Sequence, residues 1–122
     1  MAKILIIEDD KVYASTIKQA LECEGFAVTI AEDGVDGFDK VMQEKPDLVL
    51  VDILLPKVDG IAMVKKMKDA KISIPVIFLT NMSDFRHMSE AIEAAQTDYL
   101  IKSNFSLKEI VEKVKRKLEQ KA

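Results

Sequence analysis

The chain is poor in soft ligands: of its 122 residues, one is cysteine (Cys23) and one is histidine (His87). A single thiol excludes an internal disulfide, and Cys23 is expected on a helix as a small hydrophobe. His87, beside Arg86 on a polar helix face, is expected to be solvated. A basic excess is missing as well. Eighteen Lys and Arg stand against 21 Asp and Glu, a net charge of -3, so the electrostatic footprint of a nucleic-acid binder is absent. No apolar run approaches the roughly 20 residues of a membrane span, and Met1-Ala2-Lys3 leads directly into a strand pattern instead of a signal peptide. A cytoplasmic protein is expected, engaging neither membrane nor nucleic acid. Linkers, repeats and low-complexity tracts are also lacking, and the initiator methionine and polar tail suggest a stand-alone chain. With 48% hydrophobic and 32% charged residues, 1–122 suits one soluble domain able to bury a core.

What is present is a rhythm of short apolar runs and helical patterns. KILII (Lys3 to Ile7) is β-branched and ends abruptly in Glu8-Asp9-Asp10, which reads as a buried strand and an acidic loop. Val12, Ile17, Ala20 and Leu21 recur at near-helical spacing up to the stop at Gly25. Phe26 to Ala31 alternates like a strand with one wet face. Asp33-Gly34 then turns into a helix over Val35 to Glu44, with Phe38, Val41 and Met42 facing inward, and Pro46 closes it. Leu48 to Val51 forms a buried strand running into Asp52, followed by breaks at Pro56 and Asp59-Gly60. A helix from Gly60 to about Ala70 carries Ile61, Val64 and Met67. Pro75 to Leu79 is the fourth strand, with proline at its first position, ending at Thr80. Ser83 or Asp84 is expected to cap a helix to about Ala95, with Met88, Ala91 and Ile92 inward. Asp98 to Ile101 is a short fifth strand ending at Lys102. Ser106 caps a last helix with the stripe Leu107, Ile110, Val111, Val114 and Leu118. Five βα units predict a doubly wound α/β fold: a parallel sheet with helices on both faces, joined by right-handed crossovers.

The chemistry gathers at the strand ends, where open α/β sheets bind their ligands. Glu8 and Asp9 follow the first strand, Asp52 the third, Thr80 the fourth and Lys102 the fifth. If the first and third strands are neighbours, three carboxylates share a crevice and repel unless a cation lies between them. With only hard oxygens on offer, the expected ion is Mg²⁺ or Mn²⁺. A carboxylate beside such an ion can attack phosphorus to form an aspartyl phosphate, and Asp52 is the candidate. Its peripheral charge would be shared by the metal, the Lys102 ammonium and the Thr80 hydroxyl. Taken singly, each residue has a plainer reading: Glu8, Asp9 and Asp10 as a solvated helix cap, Asp52 as a turn former. The five strand ends together favour a site.

At this point the sequence resembles the receiver domain of two-component response regulators over essentially its whole length, through KILIIEDD, PDLVLVDILLPKVDG, IPVIFLTN and DYLIK. The resemblance implies a flavodoxin-like, CheY-like (βα)5 sheet in the order 2-1-3-4-5. It implies Glu8 and Asp9 as the acidic pair, Asp52 as the phosphorylation site, Leu54 as a carbonyl donor to the metal, and Thr80 and Lys102 as switch hydroxyl and lysine. Tyr99 matches the switch aromatic. The implied phosphodonor is a phosphohistidine on a sensor histidine kinase or phosphotransfer protein; the downstream protein target is unknown. The family's usual set of paired dimer charges is not recognised, so a monomer or weak dimer is expected. The chain would be no enzyme beyond its own phosphorylation and dephosphorylation.

Several positions depart from the family pattern. Ser103-Asn104 precedes Phe105 where a proline commonly follows the lysine, and Ala95 stands in place of a frequent glycine. Asn81 replaces a small residue and is expected to narrow access to the phosphoryl group or hinder Tyr99. Leu54 and Met82, two residues beyond Asp52 and Thr80, are both apolar and cannot orient a water, which predicts a long-lived phosphoryl group. The basic last helix (Lys108, Lys113, Lys115, Arg116, Lys117, Lys121) reads as a solvated face, with an acidic partner surface as the sharper alternative. The rival classes are a Mg²⁺-dependent phosphatase, which would want an aspartate at Leu54, and an FMN carrier, whose phosphate the acidic loop would repel. A degenerate receiver acting as a phosphorylation-independent binding module is the main alternative.

Overall fold

The computed structural model describes residues 1–94, 97–102 and 106–121, without the side chains of 94 and 121. Ala95 and the segment Ser103, Asn104 and Phe105, singled out above, lie outside the described residues. Strands and helices alternate along the chain: β1 (Lys3–Ile7), α1 (Lys11–Cys23), β2 (Ala27–Ala31), α2 (Gly34–Glu44), β3 (Leu48–Asp52), α3 (Gly60–Asp69), β4 (Val76–Thr80), α4 (Met82–Ala94), β5 (Asp98–Ile101) and α5 (Leu107–Lys121). The five strands form one parallel sheet in the order β2-β1-β3-β4-β5. The order reverses between β1 and β3, which opens the crevice expected of a doubly wound sheet.

Side chains alternate across each strand and so sort the core into two layers. Ile4, Ile6, Leu48, Leu50, Ile77, Leu79 and Leu100 face α1 and α5, whose Ala14, Ile17, Leu21, Ile110, Val111 and Val114 cover them. Leu5, Ile7, Val49, Val51, Val76 and Phe78 face the other way, onto Val41 of α2, Met63, Val64 and Met67 of α3 and Ile92 of α4. β3 and β4 are buried throughout, as their unbroken apolar runs require.

Local chemistry sets the helix ends. Asp10, Asp33 and Asp59 are N-caps, accepting from the N–H groups of Tyr13, Asp36 and Ala62. Asp33 and Asp59 thus start helices where turns were expected. Lys45, at φ 49°, ends α2 in the left-handed region just before Pro46. α4 begins at Met82, and its cap is Asn81, whose Oδ1 accepts from Asp84 N–H at 2.7 Å, not Ser83 or Asp84. Ser106 caps α5, as the sequence suggested: its Oγ accepts from Glu109 N–H at 3.2 Å, and its own N–H donates to Glu109 Oε1 at 3.5 Å, which closes a capping box.

Four side chains expected to face the core do not. Val12 is 78% exposed because α1 buries positions 14, 17 and 21, a stripe out of phase with 12. Met42 and Ala91 are exposed beside the buried Val41 and Ile92, and Leu107 is exposed in the first turn of α5. Cys23, at the end of α1, is exposed instead of packed. His87 is exposed as expected, its Nδ1 2.9 Å from the Ser83 carbonyl. The basic face of α5 is partly neutralised within the fold: Lys115 pairs with Glu24 and Lys117 with Asp98. No helix among the described residues is long and apolar enough to cross a membrane.

Candidate functional site

Strand register brings the acidic residues together. Ile7 of β1 lies opposite Val51 of β3, so the next residues, Glu8 and Asp52, leave adjacent strands side by side. Thr80 of β4 pairs with Ile101 of β5, which places Lys102 one residue beyond that edge. Alternation then divides the set. Glu8, Asp52 and Lys102 continue the rows facing α1 and α5, whereas Thr80 and Tyr99 continue the rows facing α4.

On the first side, the Lys102 ammonium bonds both Glu8 Oε1 and Asp52 Oδ2, the latter at 3.0 Å, joining groups 94 and 50 residues away in sequence. Asp52 Oδ1 accepts from Leu54 N–H at 3.2 Å, so both oxygens of this carboxylate are engaged. Glu8 and Asp52 are buried and Asp9 is exposed; one carboxylate oxygen from each lies within 4.8 Å of the others. This cluster could hold a metal ion. The donors are all oxygen, with no histidine or thiol in the group, which suits a small hard divalent cation. The acidic run after β1 is therefore not one solvated cap: Asp10 caps α1, Asp9 faces solvent, and Glu8 is buried.

Electrostatics follow from this packing. Burial of the Glu8 carboxyl, and next its hydrogen bond with Asp52, push its pKa up from 4.5 to about 7 despite Lys102. Burial opposes the Lys102 ammonium, but Glu8 and Asp52 outweigh it and raise the lysine's pKa, so it stays charged. Gly60 makes the site possible from behind. A Cβ there would stand 2.3 Å from the Asp52 carbonyl oxygen, so only glycine lets α3 start this close to the end of β3.

On the second side, Thr80 is fully buried and its hydroxyl donates to the Asn81 carbonyl at 3.0 Å. The same carbonyl accepts from Phe85 N–H at 2.9 Å in the first turn of α4. Asn81 thus serves as the cap of α4, a role its replacement of a small residue did not suggest. Tyr99 is 39% exposed and lies against Phe85, with ring centroids 4.6 Å apart and planes at 29°. Leu54 is half exposed and Met82 half-buried. Sequence reasoning missed Tyr13, Phe85, Gly60 and the cap role of Asn81. The Asx spacing from Asn81 to Asp84 was the one readable signal; the other three depend on which elements meet.

A doubly wound parallel sheet with three carboxylates and a lysine at its carboxyl edge defines an α/β protein whose crevice could hold a divalent cation. The chain belongs to the response regulator receiver domain family, whose model matches residues 4–115. It is 34% identical to the alkaline phosphatase synthesis transcriptional regulatory protein PhoP of Bacillus subtilis over 113 residues, 93% of this chain and 47% of that protein. It is 35% identical to the transcriptional regulatory protein CseB of Streptomyces coelicolor over 99 residues, 81% of this chain and 42% of that protein. The chain spans about half the length of the curated relatives it matches. Among solved structures, the receiver domain of the Francisella response regulator 1452 superposes with a TM-score of 0.89 at 29% identity, covering 100% of both chains. A CheY-like receiver domain protein from Methanospirillum hungatei gives 0.88 at 30% identity, covering 98% of this chain and 95% of that one. Strand order and fold class are those the sequence led us to expect.

Proposed function

We propose that residues 1–122 act as a single phosphoacceptor receiver, with Asp52 accepting a phosphoryl group from a phosphohistidine on a sensor histidine kinase or phosphotransfer protein. The observation that carries this reading is the Lys102 ammonium held between Glu8 and Asp52, with Asp9 in the same carboxylate cluster. Transfer forms a bond from an Asp52 oxygen to phosphorus while the bond from phosphorus to the donor nitrogen breaks, and that nitrogen keeps the electron pair. The transition state is loose, so positioning and charge neutralisation supply most of the catalysis. Lys102 already contacts the reacting carboxylate and is poised to take a phosphoryl oxygen. Mg²⁺, or Mn²⁺, held by Glu8, Asp9, Asp52 and the Leu54 carbonyl, would supply neutralisation of the remaining phosphoryl charge when bound.

The output is a population shift. Thr80 would exchange its bond to the Asn81 carbonyl for one to the phosphoryl group, and Tyr99 would leave its place against Phe85, remodelling the face made by α4, β5 and α5 for a downstream protein. The chain's chemistry is confined to its own phosphorylation and dephosphorylation, in the cytoplasm, as a monomer or weak dimer. Intact mass after incubation with acetyl phosphate and Mg²⁺ tests the core of this reading. The wild type should gain one phosphate and Asp52→Asn none; no gain in either would point to a phosphorylation-independent binding module.

A further inference from the structure

Tyr13 occupies the first turn of α1, where Asp10 Oδ1 accepts its backbone N–H at 3.1 Å and so fixes the start of the helix. Its ring lies beneath the Lys102 ammonium, with Nζ 4.6 Å from the ring centroid, inside the range of a cation–π contact. An ammonium has three N–H donors, and Glu8 Oε1 and Asp52 Oδ2 take two of them. The Tyr13 hydroxyl is buried without a hydrogen-bond partner among the described residues, so the residue's contribution lies in its ring face.

We propose that Tyr13 is a positioning residue for Lys102: its ring holds the ammonium over the carboxylate cluster and thereby presents it to the incoming phosphoryl group. The physical need is plain. Lysine is a point charge on a flexible four-carbon stem. A third contact, delivered from α1, restricts the ammonium to one place. The inference rests on Asp52 being the phosphoacceptor and adds a residue to that site.

The test compares phosphorylation rates with acetyl phosphate and saturating Mg²⁺ for the wild type, Tyr13→Phe, Tyr13→Leu and proteins carrying ring-fluorinated phenylalanines at position 13, with melting curves confirming that each folds. Tyr13→Phe keeps the ring and should stay within about twofold of the wild type. Tyr13→Leu should lose roughly three- to thirty-fold in maximal rate, with little change in the acetyl phosphate concentration giving half of it. Successive fluorination, which preserves shape while weakening the ring's negative face, should lower the rate stepwise. A Tyr13→Leu rate equal to the wild type, or a rate indifferent to fluorination, overturns the proposal. Proton NMR of the unphosphorylated, metal-free protein gives a separate reading: the Lys102 Cε protons should be shifted upfield by the ring and relax in Tyr13→Leu. Failure of the wild type to accept phosphate would sink the phosphoacceptor reading, and the contact would then stand or fall on that NMR shift.

Discussion

The Lys102 ammonium stands 3.0 Å from Asp52 Oδ2 and also bonds Glu8, so one cation is shared by two buried carboxylates from different strands. It is the internal counterion of the cluster. A divalent cation would compete for the same negative charge.

Removing that counterion should therefore be costly only while nothing replaces it. In metal-free buffer at pH 8, Lys102→Met should lose about 1–3 kcal/mol of stability, since it leaves the buried carboxylates without their cation. Mg²⁺ should restore most of the loss and raise the urea midpoint more in the variant than in the wild type. Equal responses to Mg²⁺ in the two proteins would contradict a shared pocket.

Glu8 predicts a pH dependence. Its folded pKa is raised to about 7 from 4.5, so between those values the native state binds a proton that the unfolded chain has released. Native stability then falls as pH rises through this window. The denaturation midpoint of the metal-free protein should drop between pH 5 and pH 7.5, and Glu8→Gln should flatten that slope. Metal binding needs the carboxylate, so at pH 6 Mg²⁺ should displace a proton, visible in calorimetry as heats that depend on the buffer, with affinity rising towards pH 7.5.

The stacked pair Phe85 and Tyr99 holds the tyrosine outward in this state. Addition of acetyl phosphate and Mg²⁺ should weaken nuclear Overhauser contacts between the two rings and move the Tyr99 ring signals, in the wild type but not in Asp52→Asn. Phe85→Ala removes a contact of about 0.5–1.5 kcal/mol and should shift Tyr99 part of the way without phosphate. Ring signals that ignore phosphorylation would separate Tyr99 from the switch.

Leu54 is half exposed and its N–H is bound to Asp52 Oδ1, and Met82 is half-buried at the start of α4. Neither side chain can activate a water. The aspartyl phosphate should persist in Mg²⁺, and Leu54→Glu, which supplies a base beside the phosphoryl group, should hasten its loss by roughly tenfold or more. Mass spectrometry over time measures both. Rapid loss in the wild type, unaffected by the substitution, would dispose of the idea.

Much of the architecture is legible before any coordinates. Runs such as ILII in β1 and LVLV in β3 are buried on both faces because a parallel sheet covered by helices wets neither, and composition over a few residues suffices to show it. Helix ends were harder. Asp33 and Asp59, each followed by glycine, read equally well as turns or caps, since the same side-chain oxygen serves both. Inward faces failed at Val12, Met42, Ala91 and Leu107 because an apolar residue near the edge of a stripe is placed by the neighbouring element and not by its own period.

The sequence by itself determined the elements, their α/β order and the residue types at the strand ends, because hydrophobic periodicity and capping act within a few neighbours along the chain. Tertiary structure alone decided the rest: that Ile7 lies opposite Val51, that Glu8 is buried while Asp9 is not, that Tyr13 lies under Lys102, and that Phe85 stacks on Tyr99. Those relationships join side chains from separate elements, and only the crossovers that set strand order and register bring them within reach.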